Sequence, residues 1–263
     1  MSSAQKSLSS RLKSGEALVT SWVMLPSAAV AEQLGRAGYP AVTLDLQHGQ
    51  MGMGEAREGL AALALTPAHA IVRMGVADLS NAPRFLDMGA EAVIAPMIET
   101  AADAQAFADV VKYPPLGSRS WGPLRAAQLH GKTPADYLAR ANGDTLALAM
   151  IETRTALAQV DEILAVPGID GVFVGPSDLS LALSEGAELN PQSEETRAAS
   201  RVIADAARRA GKVAGIFCMS AQEVKDAKAL GYTLMALGID MVLLANAAQA
   251  VLAACADEPK PSA

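Results

Sequence analysis

At 263 residues the chain is long for one ordinary domain but normal for a single α/β barrel. It is 51% hydrophobic and only 4% aromatic, an aliphatic composition that suits β/α repeats better than an antiparallel sandwich. The net charge of −7 argues against nucleic acid or an anionic membrane surface as a partner, but not against a small anionic substrate, which senses local charge. Cys218 and Cys255 lie far apart without metal-ligand spacing, and two thiols make no disulfide framework.

Residues 1–14 read as a leader: Lys6, Arg11 and Lys13 occur there without the apolar core of a secretory signal. No apolar run approaches the roughly 20 residues that span a bilayer, so a cytoplasmic protein is expected. Residues 17–24 predict a first strand. Pro26-Ser27 opens a helix over 28–37, stopped by Gly38. A second strand over 41–45 ends in Leu46-Gln47-His48-Gly49, and a helix over 54–64 follows. Residues 70–73 form a third strand ending in Arg73. Ser80 is placed to cap the next helix, and Gly89 to end it. A fourth strand over 92–96 precedes a helix over 100–111.

The rhythm breaks between Tyr113 and Gly143. A Tyr113-Pro114-Pro115-Leu116-Gly117 turn leads into a polar stretch with Arg119, Trp121, Arg125 and His130, then a short helix over 133–141. A long loop in a compact fold suggests a lid or binding segment. The alternation then resumes. Leu146-Ala147-Leu148-Ala149-Met150-Ile151 is apolar on both faces, as a buried parallel strand requires, and runs into Glu152, with Thr153 placed to cap a helix. A sixth strand over 169–174 runs into Gly175-Pro176-Ser177-Asp178. A helix over 193–210, a strand over 213–217, a helix capped by Ser220, a strand over 233–237 and a helix over 240–256 complete the chain. Residues 257–263, with two prolines and a serine, are expected to be disordered.

Eight strands alternating with helices predict one α/β domain, a (β/α)8 TIM barrel over 15–256. No G-x-G-x-x-G follows the first strand, which removes the strongest argument for a dinucleotide fold. Four polar residues follow or end strands: His48, Arg73, Glu152 and Asp178. Barrel geometry aims such residues into one mouth. Two facing carboxylates in a dry pocket need a neutralising cation, and all-oxygen ligation favours Mg²⁺ or Mn²⁺. Arg73 offers a planar fork to a carboxylate or enolate, and His48 is a general base near neutral pH. Each has a blander reading: Asp178 would serve as a helix cap, Arg73 would pair with Asp78, and a lone histidine is more often structural. His69, at the opposite face, and His130 are read as non-catalytic.

The chain resembles the HpcH/HpaI aldolases, metal-dependent pyruvate aldolases, over about residues 15–254. The motifs are Leu44-Asp45-Leu46-Gln47-His48-Gly49, Val72-Arg73, Phe85-Leu86-Asp87-Met88-Gly89-Ala90, the run from Lys112 to Arg119, Ile151-Glu152-Thr153 and the run from Val172 to Ser180. The resemblance implies reversible addition of a 2-oxo acid, of the pyruvate or hydroxypyruvate type, to an aldehyde. It implies Glu152 and Asp178 as ligands of Mg²⁺ or Mn²⁺, with Co²⁺ as a lesser candidate. It gives Arg73 to the oxo acid and its enolate, and His48, with Asp45 beside it, to proton transfer. Asp87 would meet the base across a subunit boundary. Gly175, Ser177 and Asp178 would hold the substrate carboxylate at a helix N-terminus. A homo-hexamer, a trimer of dimers with the last helix exchanged, is expected. Gln47 stands where the family often has Glu, and Met150 where many members have Gln. The alternatives are a citryl- or malyl-CoA-type lyase, or a catalytically silent binding barrel.

Overall fold

The computed structural model describes residues 6–255. The tail expected to be disordered lies outside the described residues. Eight parallel strands close into a barrel in sequence order. They are β1 (Leu18–Val23), β2 (Ala41–Asp45), β3 (His69–Arg73), β4 (Ala92–Ala95), β5 (Leu146–Ile151), β6 (Gly171–Val174), β7 (Val213–Phe217) and β8 (Leu234–Ile239). The fold is the predicted TIM barrel, and the strand boundaries differ from the sequence reading by a few residues at most.

The helices are numbered in chain order. Helix α1 (Leu8–Lys13) precedes the barrel; α2 (Ala28–Arg36), α3 (Met53–Leu63), α4 (Ala82–Met88) and α5 (Ala101–Val111) wrap its first half. Helices α6 (Leu124–Leu129) and α7 (Pro134–Asp144) fill the irregular stretch before β5. Then come α8 (Arg154–Ala158), α9 (Val160–Ala165), α10 (Pro176–Leu183), α11 (Glu194–Arg209), α12 (Ala221–Ala229) and α13 (Asp240–Cys255). Ser27, Thr100, Thr133, Thr153, Ser193 and Ser220 each cap a helix with a side-chain oxygen that accepts a first-turn N–H. Ser80 does not: it lies in a 3₁₀ turn (Leu79–Asn81), and α4 starts after it with a proline in its first turn.

Two apolar layers result. Trp22, Ile71, Ile94, Leu148, Phe173 and Leu234 fill the barrel, and a larger layer lies between sheet and helices. Leu8 and Leu12 belong to the inner layer, so α1 is a plug under the barrel floor. Its Leu8 N–H donates to Glu91 Oε2 at 2.9 Å, and Ser9 Oγ donates to the Gly143 carbonyl at 2.6 Å. On the same floor Lys112 Nζ, fully buried, lies 2.6 Å from Asp170 and donates to the carbonyls of Asn142 and Thr145. His69, the first residue of β3, pairs with Glu91 at 2.7 Å, a structural position at the face opposite the mouth.

The stretch from Tyr113 to Gly143 is not a lid. Tyr113, Ala126, Ala127, Tyr137 and Ala141 form their own small core, and reciprocal hydrogen bonds tie Tyr113 to Asn142. The segment packs against α4 and α1 on the barrel flank because its apolar side chains point there. Its sparse apolar content concealed this from the sequence reading.

Candidate active site at the barrel mouth

Side chains at the C-terminal ends of the strands line a cavity of about 200 Å³. Trp22 and Met24 come from the end of β1, Asp45 and His48 from β2, and Arg73 from β3. The loop after β6 adds Gly175, Ser177 and Asp178. Glu152 lies just below, 2% exposed, at the end of β5.

Asp45 is the centre of the polar half. It is fully buried and accepts two hydrogen bonds from Arg73, Nε at 2.8 Å and Nη2 at 2.6 Å. Trp22 Nε1 donates to it at 3.1 Å, and the backbone N–H groups of Gln47 and His48 at 3.0 and 3.3 Å. Burial alone would raise this carboxyl, but the guanidinium, the indole and the backbone donors outweigh it and hold the acid below the usual carboxylate range. The sequence set Asp45 beside the base; in the structure its carboxylate grips the loop backbone and Arg73, not the imidazole ring. Arg73 therefore pairs with Asp45, and Asp78 instead accepts from Asn81 at 2.7 Å. The guanidinium also sits 4.9 Å from the Trp22 ring centre, and Nη1 carries no hydrogen bond among the described residues.

Glu152 is held differently. Its Oε1 accepts the Met97 N–H at 2.8 Å, while Oε2 is buried with no partner. Met97 has φ +55°, the left-handed region that a residue with a side chain rarely adopts. Sequence reasoning missed Met97, since its contribution is a backbone N–H. Gly175 is needed beside it: a Cβ there would lie 2.7 Å from Glu152 Oε2. Burial foremost, with the nearby Asp178 charge, raises the Glu152 carboxyl to about 7 despite the Met97 N–H and Arg73. Asp178 is exposed in the first turn of α10 and makes no capping hydrogen bond, so it does not spend its oxygens on the helix.

A buried carboxylate oxygen without a partner, an acid close by and an all-oxygen donor set fit a hard divalent cation. Among the described residues no three His, Cys, Asp or Glu side chains converge as a metal cluster, so two carboxylates are what the protein offers here. This predicts a pH effect. Glu152 binds its proton more tightly in the folded chain than in the unfolded chain, where its ordinary value is 4.5. The associated stability is fully present below 4.5 and is lost as pH rises through about 7. In EDTA, wild type should lose on the order of 3 kcal/mol over that window relative to Glu152→Gln. Urea midpoints of both proteins at several pH values measure it; parallel curves would refute the buried-acid assignment.

His48 is exposed, and its ring makes no hydrogen bond among the described residues. Asp87 is not at this mouth. It lies near the end of α4 and pairs with buried Arg119 at 2.5 Å. Arg119 in turn lies 4.6 Å from the Tyr113 ring centre. The two departures noted in the sequence are both near the site: Met150 lines the cavity, and the Gln47 side-chain oxygen is buried without a partner.

Known proteins resemble this chain over most of its length. The model of the HpcH/HpaI aldolase/citrate lyase family matches residues 19–247. A hydroxypyruvate/pyruvate aldolase of Rhizorhabdus wittichii is 40% identical, over 91% of this chain and 94% of that protein. A 4-hydroxy-2-oxo-heptane-1,7-dioate aldolase of Klebsiella pneumoniae is 35% identical, over 92% of this chain and 91% of that one. Among solved structures, an HpcH/HpaI aldolase/citrate lyase family protein of Burkholderia cenocepacia superposes with a TM-score of 0.84 at 29% identity. That match covers 94% of this chain and 97% of the other.

Proposed function

The chain belongs to the HpcH/HpaI aldolase/citrate lyase family and is an aldolase, and we propose that its mouth joins a 2-oxo acid of the pyruvate or hydroxypyruvate type to an aldehyde, reversibly and with Mg²⁺ or Mn²⁺. The observation that carries this is the unpartnered, buried Oε2 of Glu152 beside Asp178 and Arg73. Glu152 and Asp178 would hold the cation, which when bound supplies Lewis-acid polarisation of the donor carbonyl.

The protein's own groups do the rest. Arg73, held in place by Asp45, stabilises negative charge on the donor oxygen as the enolate forms. The backbone N–H groups of Ser177 and Asp178, in the first turn of α10, receive the donor carboxylate. His48 takes the C3 proton, directly or through water. The C3 carbanion equivalent then bonds to the aldehyde carbon, and the aldehyde oxygen gains a proton; cleavage reverses each step. A citryl- or malyl-CoA-type lyase is less well supported, because the curated relatives named above are aldolases.

Exchange of pyruvate C3 protons for deuterium, followed by NMR, tests this reading. EDTA should abolish it and Mg²⁺ or Mn²⁺ restore it; exchange that persists in EDTA would rule the metal out. His48→Ala should slow exchange about 10²-fold with little change in donor affinity. A loss confined to KM would remove His48 from proton transfer.

We further propose a homo-hexamer, a trimer of dimers, in which α13 is exchanged and Asp87 of one subunit orients His48 of another. Supporting this, α13 exposes Met241, Leu244, Val251 and Leu252 and, among its described residues, buries only Asp240. Mixing inactive His48→Ala and Asp87→Ala chains should recover activity in hybrids; re-assembled mixtures with none would count against a shared site. Among the described residues no helix is long and apolar enough to cross a membrane. We place the enzyme in the cytoplasm.

A further inference from the structure

The mouth has two chemically different halves. Every charged or hydroxyl-bearing group of its lining ends or follows β2, β3 or β6, where Met150 of β5 and Phe173 of β6 add some apolar surface, and Glu152, just after β5, lies beneath them. The strands β7, β8 and β1 are consecutive neighbours in the closed barrel. They contribute Phe217, Ile239, Trp22 and Met24 and nothing charged to the lining.

That apolar wall is built, not incidental. Phe217 packs edge-on to Trp22 with ring centres 5.2 Å apart, and Trp22 lies 5.7 Å from Phe173. Asp240, buried at the start of α13, accepts the backbone N–H groups of Met24 and Leu25 at 3.0 and 2.9 Å, which fixes the end of β1 against β8. Phe217, Ile239 and Met24 remain partly exposed, so a small molecule in the cavity can touch them.

A 2-oxo acid has two oxygen-bearing groups next to each other, and both need polar partners. They must face the β2–β6 side. The carbon that forms the new bond is then turned toward the β7–β8–β1 side, and the incoming aldehyde must lie along the apolar wall. We infer that the acceptor of this enzyme is an uncharged aldehyde with a hydrocarbon body, selected by Phe217, Ile239 and Met24 against aldehydes that carry a carboxylate.

The physical reason is desolvation without compensation. A carboxylate on the acceptor would be set against phenyl and alkyl groups, which offer it no hydrogen bond. Among the described lining residues Arg73 is the one Lys or Arg, and Asp45 and the donor already occupy it. The inference rests on the aldolase reading and goes beyond it by assigning the acceptor class.

The test uses the full-length protein with Mg²⁺, pyruvate and two aldehydes of equal carbon number, butanal and succinate semialdehyde. They differ in a terminal methyl or carboxylate. The expected kcat/KM favours butanal by about 10²-fold, the scale of an uncompensated polar group in an apolar site. Equal rates, or a preference for the semialdehyde, would overturn the inference while pyruvate C3 exchange left the aldolase reading standing. Absent exchange, with no product from either aldehyde, would overturn both. Phe217→Arg should move the ratio at least about tenfold toward the semialdehyde by supplying a charge partner. Because Phe217 packs on Trp22, Ile239→Lys at the neighbouring strand end repeats the test without that contact. If both folded variants keep the wild-type ratio, the wall is not where the acceptor binds.

Discussion

Glu152→Ala is expected to lower aldol turnover by about 10⁴-fold, a loss of several kcal/mol of electrostatic stabilisation at the reacting oxygen. The same variant should be more stable than wild type in EDTA at pH 8, because it removes a carboxylate whose ionisation burial opposes. Adding Mn²⁺ should stabilise wild type and leave the variant unchanged, since only the folded wild type gains the ligand. The two effects have opposite signs, which separates a ligand from a residue that merely holds the fold. Calorimetric Mn²⁺ titration with thermal unfolding of both proteins measures them. A variant that still binds Mn²⁺ as tightly as wild type would show that Glu152 is not a ligand. Asp178→Ala should lose cation affinity as well, but with little change in metal-free stability, because Asp178 is exposed.

Asp45→Asn should instead damage fold and chemistry together. It keeps the shape but leaves the Arg73 guanidinium, 8% exposed, without its counter-charge. Breaking a buried ion pair from one side typically costs about 3–5 kcal/mol. Here the Asp45 carboxyl lies below its ordinary range, so its stabilising contribution is present at neutral pH and disappears as pH falls through its folded value. The gap in unfolding free energy between wild type and Asp45→Asn should therefore shrink in acid. Donor kcat/KM should fall at neutral pH because Arg73 is no longer fixed over Trp22. If Asp45→Asn unfolds at the wild-type urea midpoint at pH 7, the pair is not the keystone described.

The amino-acid sequence by itself determined the barrel and most of its punctuation. Continuous apolar runs, side-chain caps and glycine stops are local properties, and apart from the Ser80 cap they carry over into the fold. Ser27, Thr153 and Ser220 cap where local spacing says they should. The candidate residues His48, Arg73, Glu152 and Asp178 were also legible, because a strand followed by a polar residue has only one place to put it in a barrel.

Only the tertiary structure decided who touches whom. Arg73 had a near neighbour in sequence, Asp78, yet pairs with Asp45 from the adjacent strand, because β2 and β3 run in register and set Asp45 opposite Arg73. The strained N–H of Met97 reaches Glu152 across 55 positions, and no side-chain type announces it. Helix α1 became the floor plug, since two leucines one turn apart find a barrel end only after the barrel has closed. The division of the mouth into a charged half and an apolar half belongs to the same class. It arises because closure brings β8 beside β1, and that pairing joins residues at opposite ends of the chain.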